Sequence, residues 1–411
     1  MIRKNLSLGV KVVSLLMSAL AALCFLATFS YAALTPEAIT EKTTQEIEAS
    51  PGQSWFKNFD QQRDEFSRKY GTSFAFLFHY DQQYIISAEQ NSGRGAGLCY
   101  WNLEVIQKLW KGGALTTELE VDRGKGVDKF IPSFSFFNSN SGDNIDLYLP
   151  KLYLSQGLEE DKVYLAAGKL DLSDWFDGSA VASSADTQFV TNSLVNNPVI
   201  AFPVPGIGAM FILKPYEWLY FQAGAATAKS VRTQTGLRDG FNSTFFINEL
   251  GLTPKFGNLQ GNYRFIFNLT RRKLDYIDES GTKNNTRGFA LSFDQQLSER
   301  FTMFARYGFQ NPKVNSLKHF WSAGAQLSEP LPGRKFDCLA FAVAESVTAA
   351  DYREYYGSDI ISKETIWELY YSYDHNHILI FTPHLQILSH PNADKTARNA
   401  IVAGVRLLVS F

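Results

Sequence analysis

A transmembrane barrel of sixteen antiparallel β-strands, preceded by a short amino-terminal helical segment, is the fold class this sequence predicts. Three observations carry it. The final stretch, AIVAGVRLLVSF, puts Ile401, Ala403, Val405, Leu407, Val409 and Phe411 in one apolar row at period two, opposite Gly404, Arg406 and Ser410. Mean hydropathy is −0.15, too low for a helical bundle whose spans each need roughly 20 apolar residues, whereas a barrel turns every second residue to its lumen. Brief turns also alternate with long polar loops, a sorting that a soluble sandwich has no reason to make.

The amino terminus reads as an export signal. Arg3, Lys4 and Lys11 accompany an apolar run from Val12 to Phe29, and Ser30-Tyr31-Ala32 supplies small residues where a signal peptidase cuts. Residues 1–32 are therefore expected to be removed. Cys24 follows Leu23, where a lipoprotein signal would want a small residue, so lipidation is not expected. Residues 33–71 form the one helix-like region. Thr35-Pro36 supplies a cap and a first helical residue, and a second piece spaces Trp55, Phe56, Phe59, Phe66 and Tyr70 helically before Gly71.

Residues 72–411 change to strand periodicity. Cores are expected to begin near 73, 95, 113, 145, 162, 206, 217, 243, 258, 286, 300, 318, 336, 364, 376 and 400. Turns follow the even strands, at Lys111-Gly112-Gly113, Lys214-Pro215-Tyr216, Thr253-Pro254-Lys255, Ser298-Glu299-Arg300 and Asp374-His375-Asn376. Apart from a short first one, the connections after the odd strands are generally longer and polar, around 123–144, 171–205, 228–242, 270–285, 346–363 and 388–399. An even count puts both termini on the short-turn, periplasmic side.

Alternation inside the strands agrees. Phe301, Met303, Ala305, Tyr307 and Phe309 share a face opposite Arg306, and Tyr263, Phe265, Phe267 and Leu269 oppose Arg264 and Asn268. An unpaired arginine in a dry sandwich core would cost several kcal/mol, while one in a wet lumen costs little. Trp218, Tyr220, Trp321 and Trp367 fall near strand ends, where an aromatic girdle belongs. Cys99 and Cys338 lie on the second and thirteenth strands, five steps apart around a closed ring at ~4.8 Å or more per step. A disulfide needs Cα atoms within ~7 Å, so both thiols are expected free.

Composition narrows the function classes. The 39 basic and 41 acidic residues nearly cancel, which argues neither for nucleic acid nor for ion selectivity. Aromatics make up 14% of the chain, with 33 Phe and 19 Tyr, so ring-rich surface is in use somewhere. No His, Cys or carboxylate spacing fits a metal site, and no cofactor is implied.

The longest loop, from Asp171 to Pro205, opens with GKLDLSDWFDG, continues with QFVTNSLVNNP and closes with FPVPGIGA; the chain ends WELYYSYDHNHILIFTPHLQILSHP and GVRLLVSF. These blocks resemble the carbohydrate-selective, OprB-like porin family of Gram-negative outer membranes. Gly168, Lys169, Asp171, Phe176, Phe189, Asn192, Pro203, Gly206 and Gly208 carry the likeness in the middle. Glu368, Tyr370, Tyr371, Pro383, Leu385, Gln386, Pro391, Gly404, Arg406 and Phe411 carry it at the end. The resemblance implies a barrel in the outer membrane, in contact with its lipid, that passes mono- or oligosaccharides by passive diffusion through a lumen narrowed by inward-folded loops. It leaves a homotrimer open. The loop KGVDKFIPSFSFFNSNSGDN matches nothing in the family pattern.

Selecting a neutral sugar over water takes forked donors and acceptors for hydroxyl pairs and ring faces for the sugar's apolar side. Expected inward donors are Lys169, Arg264, Arg306 and Arg406; expected acceptors are Glu120, Asp171, Asp174, Glu249 and Glu368; Trp175 offers a stacking face. The plainer role for each is a lumen charge paired with its neighbour. Lys169, Asp171 and Trp175 stand where the long loop leaves the wall. Rival functions are a non-selective or anion-preferring porin, a surface-binding barrel that conducts nothing, and a barrel hydrolase built on His384, Ser389 and His390.

Overall fold

The computed structural model describes residues 63–410 apart from 143, 161, 230–242 and 376. The expected signal segment, most of the helical segment and the terminal Phe411 lie outside the described residues. Residues 63–70 are helical and lead directly into the barrel, with Phe66 set against Tyr70 and Phe74 at 4.7 and 5.7 Å.

Sixteen strands close the ring. They are β1 (Thr72–Ser87), β2 (Gly95–Trp110), β3 (Gly113–Arg123), β4 (Tyr148–Leu158), β5 (Val163–Leu170), β6 (Gly206–Tyr216), β7 (Leu219–Thr227) and β8 (Thr244–Leu252). The second half comprises β9 (Leu259–Asp275), β10 (Thr282–Gln296), β11 (Phe301–Gln310), β12 (Leu317–Ser328), β13 (Cys338–Thr348), β14 (Lys363–Asp374), β15 (Leu379–Ser389) and β16 (Ala400–Ser410). A two-residue piece, Lys255–Phe256, pairs only onto the start of β9. Every strand is antiparallel to its neighbours, and β1 closes the ring by pairing with both β2 and β16, Tyr80 standing opposite Cys99 and Leu407. Closure leaves no edge strand with unpaired backbone in the bilayer.

The alternation holds residue by residue. On β16, Ala400, Val402, Gly404, Arg406, Leu408 and Ser410 are buried inside while Ile401, Ala403, Val405, Leu407 and Val409 face out. Phe265, Phe267, Phe289, Met303, Phe341, Leu369 and Phe381 are among the large apolar side chains exposed on the outer face. In water such a band would be costly; against lipid it is the required surface. Trp218, Trp321 and Trp367 stand on that outer face near strand ends. Tyr220 does not: its hydroxyl donates to the inward carboxylate of Glu249 at 2.6 Å and its ring lies over Gly251, so it belongs to the interior. Its period-two partners Gln222 and Gly224, both buried, fix that face.

Two boundaries move from expectation. The sixth strand runs through Pro215 to Tyr216, placing its turn at 217–218. The ninth and tenth strands carry their ladder up to Asp275 and Thr282, leaving only 276–281 as the hairpin where a loop from 270 to 285 was expected. The run Thr270–Arg271–Arg272–Lys273 is too polar to read as a membrane strand, but beyond the hydrocarbon a strand needs no apolar face. Cys99 and Cys338 are both free.

Candidate functional site

The interior is organised by the loop 171–205. It begins on a short 3₁₀ turn, Leu172–Asp174, capped by Asp171, whose carboxylate accepts from the Ser173 amide at 2.9 Å and its hydroxyl at 2.7 Å. From there the wall holds the loop through side chains aimed inward by the strand period. On β8, Glu249 accepts the Asp177 amide at 3.0 Å, and on β7 Gln222 donates to the Trp175 carbonyl at 2.6 Å. On β11, Arg306 donates to the carbonyls of Ala182 (2.6 Å), Leu194 (2.8 Å) and Asp177 (2.8 Å), with its Nε 3.4 Å from the Asp177 carboxylate. On β14, Glu368 takes the consecutive amides of Val190 and Thr191, both at 2.8 Å. On β16, Arg406 donates to the carbonyls of Ala185 (2.6 Å) and Gln188 (2.9 Å).

Apolar contacts follow the same seat. Val181, Ala182, Phe189, Leu194, Val195 and Val199 of the loop cluster with Phe304, Phe320, Ala342, Ile366 and Tyr370 of the wall, and the Phe189 and Tyr370 rings meet edge-on at 5.0 Å. Each buried Val, Leu, Ile or Phe among them contributes roughly 1.5–3 kcal/mol. The wall makes room with glycine: a β-carbon on Gly308 would sit 2.7 Å from Asn197 Oδ1 and strike Val199. One on Gly224 would lie 2.8 Å from Leu172.

The loop 124–147 docks beside it. Glu364 on β14 accepts the amides of Phe134 and Ser135 and the Ser135 hydroxyl, at 3.1, 2.8 and 2.6 Å. Gln386 on β15 ties the two loops together, donating to the Phe137 carbonyl at 2.6 Å and the Thr191 hydroxyl at 2.8 Å. Asp128 folds this loop on itself by accepting the Phe137 and Asn138 amides at 2.7 and 3.0 Å; burial pushes its carboxyl up to about 7 despite those bonds. A polar relay completes the seat: Asp81 faces His384 at 3.2 Å and accepts from Asn138 at 2.8 Å, while His79 meets Asp186 at 3.1 Å. Burial alone would raise Asp186, but the bond and charge of His79 bring it below the usual carboxylate range.

A cavity of about 490 Å³ lies beside β2–β4. Its charged lining is Glu118, Glu120, Asp122, Asp171 and Asp174 against Lys151. Tyr100, Asn102, Ser139, Asn192 and Asn196 add hydroxyls and amides. Lys151 spans the space, 2.9 Å from Glu118 on the wall and 2.8 Å from Asp174 on the loop. Removal from water, followed by the neighbouring Asp174 charge, lifts the Asp171 carboxyl to about 6.

The ten residues singled out by sequence thus separate into groups. Glu120, Asp171 and Asp174 line the cavity. Lys169 is fully buried behind it, its ammonium 4.5 Å from the centre of the Tyr148 ring, and Trp175 packs edge-on to Tyr153 at 5.6 Å. Glu249, Arg306, Glu368 and Arg406 hold the loop, and Arg264 pairs with Asp294 at 2.7 Å beneath Gly178. The expectation that Arg306 stands in a wet lumen is corrected: it is 2% exposed and satisfied by loop carbonyls, which is why burying it is tolerable. Sequence reading passed over Lys151, Glu118 and Asp122. The signal was there in β3, where Glu118, Glu120 and Asp122 fall at period two. His384 is turned onto Asp81 inside the wall, and no bond joins it to Ser389 or His390 among the described residues.

The family model described as "Carbohydrate-selective porin, OprB family" matches residues 91–411. A curated relative, Porin AaxA of Chlamydia abortus, is 25% identical over 63% of this chain and 56% of its own length, and Porin AaxA of Chlamydia felis is 26% identical over the same shares. The chain therefore spans a little over half the length of these relatives. Among solved structures, Pseudomonas putida OprB at high pH matches with a TM-score of 0.74 at 16% identity, covering 86% of this chain and 97% of that one. The outer membrane channel DcaP of Acinetobacter baumannii matches at 0.54 and 13% identity, covering 83% and 97%. At these identities the structural likeness speaks for the fold.

Proposed function

Because the chain belongs to the OprB family of carbohydrate-selective porins, whose barrels stand in Gram-negative outer membranes, we propose that it passes mono- or oligosaccharides by passive diffusion along an off-axis passage beside β2–β4. The loops 171–205 and 124–147, held mainly by inward side chains of β7–β16 and β1, narrow the lumen to that passage. Export with removal of residues 1–32, and a periplasmic helical segment over 33–71, belong to the same proposal.

The observation that carries this reading is the lining of the cavity. Carboxylates, carboxamides and hydroxyls converge there with one ammonium, and such groups can exchange hydrogen bonds with successive sugar hydroxyls. Glu120, Asp171 and Asp174 are assigned to solute contact, with Lys151 added to them. Lys169 and Trp175 act one layer back. Glu249, Arg264, Arg306, Glu368 and Arg406 are assigned to holding the loop that shapes the passage. A channel rather than an enzyme is what family and fold describe.

Liposome swelling with a series of sugars tests the proposal, run on the wild type and on the Glu120→Ala and Asp171→Ala variants. Hexose flux is expected to change more than salt conductance. Equal changes would mean that these residues only shape the hole. The lining also favours a second property: five carboxylates against one lysine attract cations, so the anion-preferring alternative runs against the charge of the cavity. Single-channel reversal potentials in a salt gradient read this directly.

A further inference from the structure

The outward face of β8–β10 carries a feature that transport does not use. Along β9 the lipid-facing row runs Phe265, Phe267, Leu269 and then Arg271; along β10 it runs Leu291, Phe289 and then Arg287. Phe265, Phe267 and Phe289 are 45, 45 and 43% exposed, and both arginines are exposed as well. The register sets Leu269 opposite Arg287 and Arg271 opposite Asn285, so the two arginines stand on diagonal positions, neighbours roughly 7–8 Å apart with their β-carbons somewhat closer. Apolar surface therefore gives way to positive charge at one level on both strands, on the long-loop side of the membrane.

Arg271 lies over the Phe246 ring of β8, 5.3 Å from its centre, which holds the side chain against the wall. Among the described residues no carboxylate lies within ion-pair distance of Arg271 or Arg287. The nearby hairpin acids are engaged elsewhere: Asp278 accepts the Ser280 amide and hydroxyl, and Glu279 accepts the Tyr355 hydroxyl at 2.8 Å. Elsewhere on the same rim the outward Lys363 is neutralised by Glu345 at 3.0 Å. Lys283 continues the outward face of β10 two rungs beyond Arg287, adding charge of the same sign.

We propose that Arg271 and Arg287 form a docking site for a phosphorylated glycolipid of the outer leaflet. The phosphate takes the paired guanidinium groups, and the acyl chains lie over Phe246, Phe267 and Phe289. Paired guanidinium groups suit phosphate because each offers forked donors, and the boundary of the apolar band is the depth at which a lipid phosphate sits. Charge complementarity selects this occupant over a second copy of the chain, whose matching face would be equally basic.

The test uses the full chain in detergent micelles, titrated with diphosphoryl lipid A and read by native mass spectrometry. Three comparisons accompany it: dephosphorylated lipid A, inorganic phosphate as a competitor, and the variants Arg271→Ala/Arg287→Ala and Lys363→Ala. The double variant is expected to bind diphosphoryl lipid A about tenfold more weakly or worse, matching the dephosphorylated lipid on the wild type. Lys363→Ala should bind like the wild type, and millimolar inorganic phosphate should not displace the lipid. Unchanged binding by the double variant, equal retention of the dephosphorylated lipid, an equal loss in Lys363→Ala, or displacement by inorganic phosphate would each overturn the proposal. Sugar-driven swelling by the double variant reports its folding, since neither arginine faces the lumen.

Discussion

Glu368 and Arg406, separated on the wall by the single strand β15, grip the same stretch of loop with opposite chemistry. The carboxylate takes the amides of Val190 and Thr191, and the guanidinium gives to the carbonyls of Ala185 and Gln188. Both side chains are fully buried, so each depends on the loop for its hydrogen bonds as much as the loop depends on it.

Removing one grip should release the loop. Glu368→Ala leaves two buried amides without acceptors at a cost of ~2–6 kcal/mol, taking ~1–3 for each. The expected result is a higher single-channel conductance and new protease cleavage between 180 and 195, with the β-sheet content of the barrel retained. Unchanged conductance would show that the loop is held without Glu368.

Arg306 makes the same argument through a charge. Arg306→Ala strands the Asp177 carboxylate and three carbonyls inside the wall, an effect of about 3–5 kcal/mol for a broken buried pair. Arg306→Lys, which keeps the charge but cannot fork, should recover part of that stability without restoring native conductance.

At Gly308 the constraint is space. Gly308→Val would press on Asn197 and Val199, and overpacking of this kind typically costs ~1–3 kcal/mol. A lowered melting temperature with altered sugar flux is expected; a wild-type melting curve would mean that the loop can shift aside freely.

Selectivity should follow pH through Asp171. Its carboxyl is raised to about 6, so the cavity gains a negative charge as the pH climbs through 6. Cation preference, read from reversal potentials, should grow between pH 5 and pH 7.5, and Asp171→Asn should remove that step. The sign for stability is the opposite. A carboxyl raised in the folded state favours folding below its unfolded value, near 3.8, and loses that contribution as the pH rises through about 6.

Among the described residues, Lys151 is the one cation of the cavity lining. Lys151→Met should sharpen cation preference and alter hexose permeation together, because Glu118 and Asp174 lose the ammonium between them. A change in conductance without a change in selectivity would place Lys151 in a purely structural role.

The cylinder was legible because the membrane imposes its pattern directly: Phe265 and Arg264, or Leu407 and Arg406, fall on opposite faces by period two and nothing overrides them. The ends of β9 and β10 were hidden, since Arg271 to Lys273 read as loop once lipid no longer demands apolar residues. The division of labour inside was hidden for another reason. Arg306 and Arg406 look alike to Lys151 in sequence, and only the path of a loop more than a hundred residues away decides which cation meets backbone carbonyls and which meets solute. Several positions that carry the family likeness, among them Phe189, Glu368, Gln386 and Arg406, turn out to seat the loop.

The one-sided seating of the loops has a consequence for how such a barrel can diversify. Most of the anchorage lies on β7–β16 and β1, while Glu120 on β3 lines the cavity, so exchanging a position such as Glu120 would retune what passes with little effect on the fastening opposite. Change of cargo and retention of shape are thereby written on different arcs of one circumference.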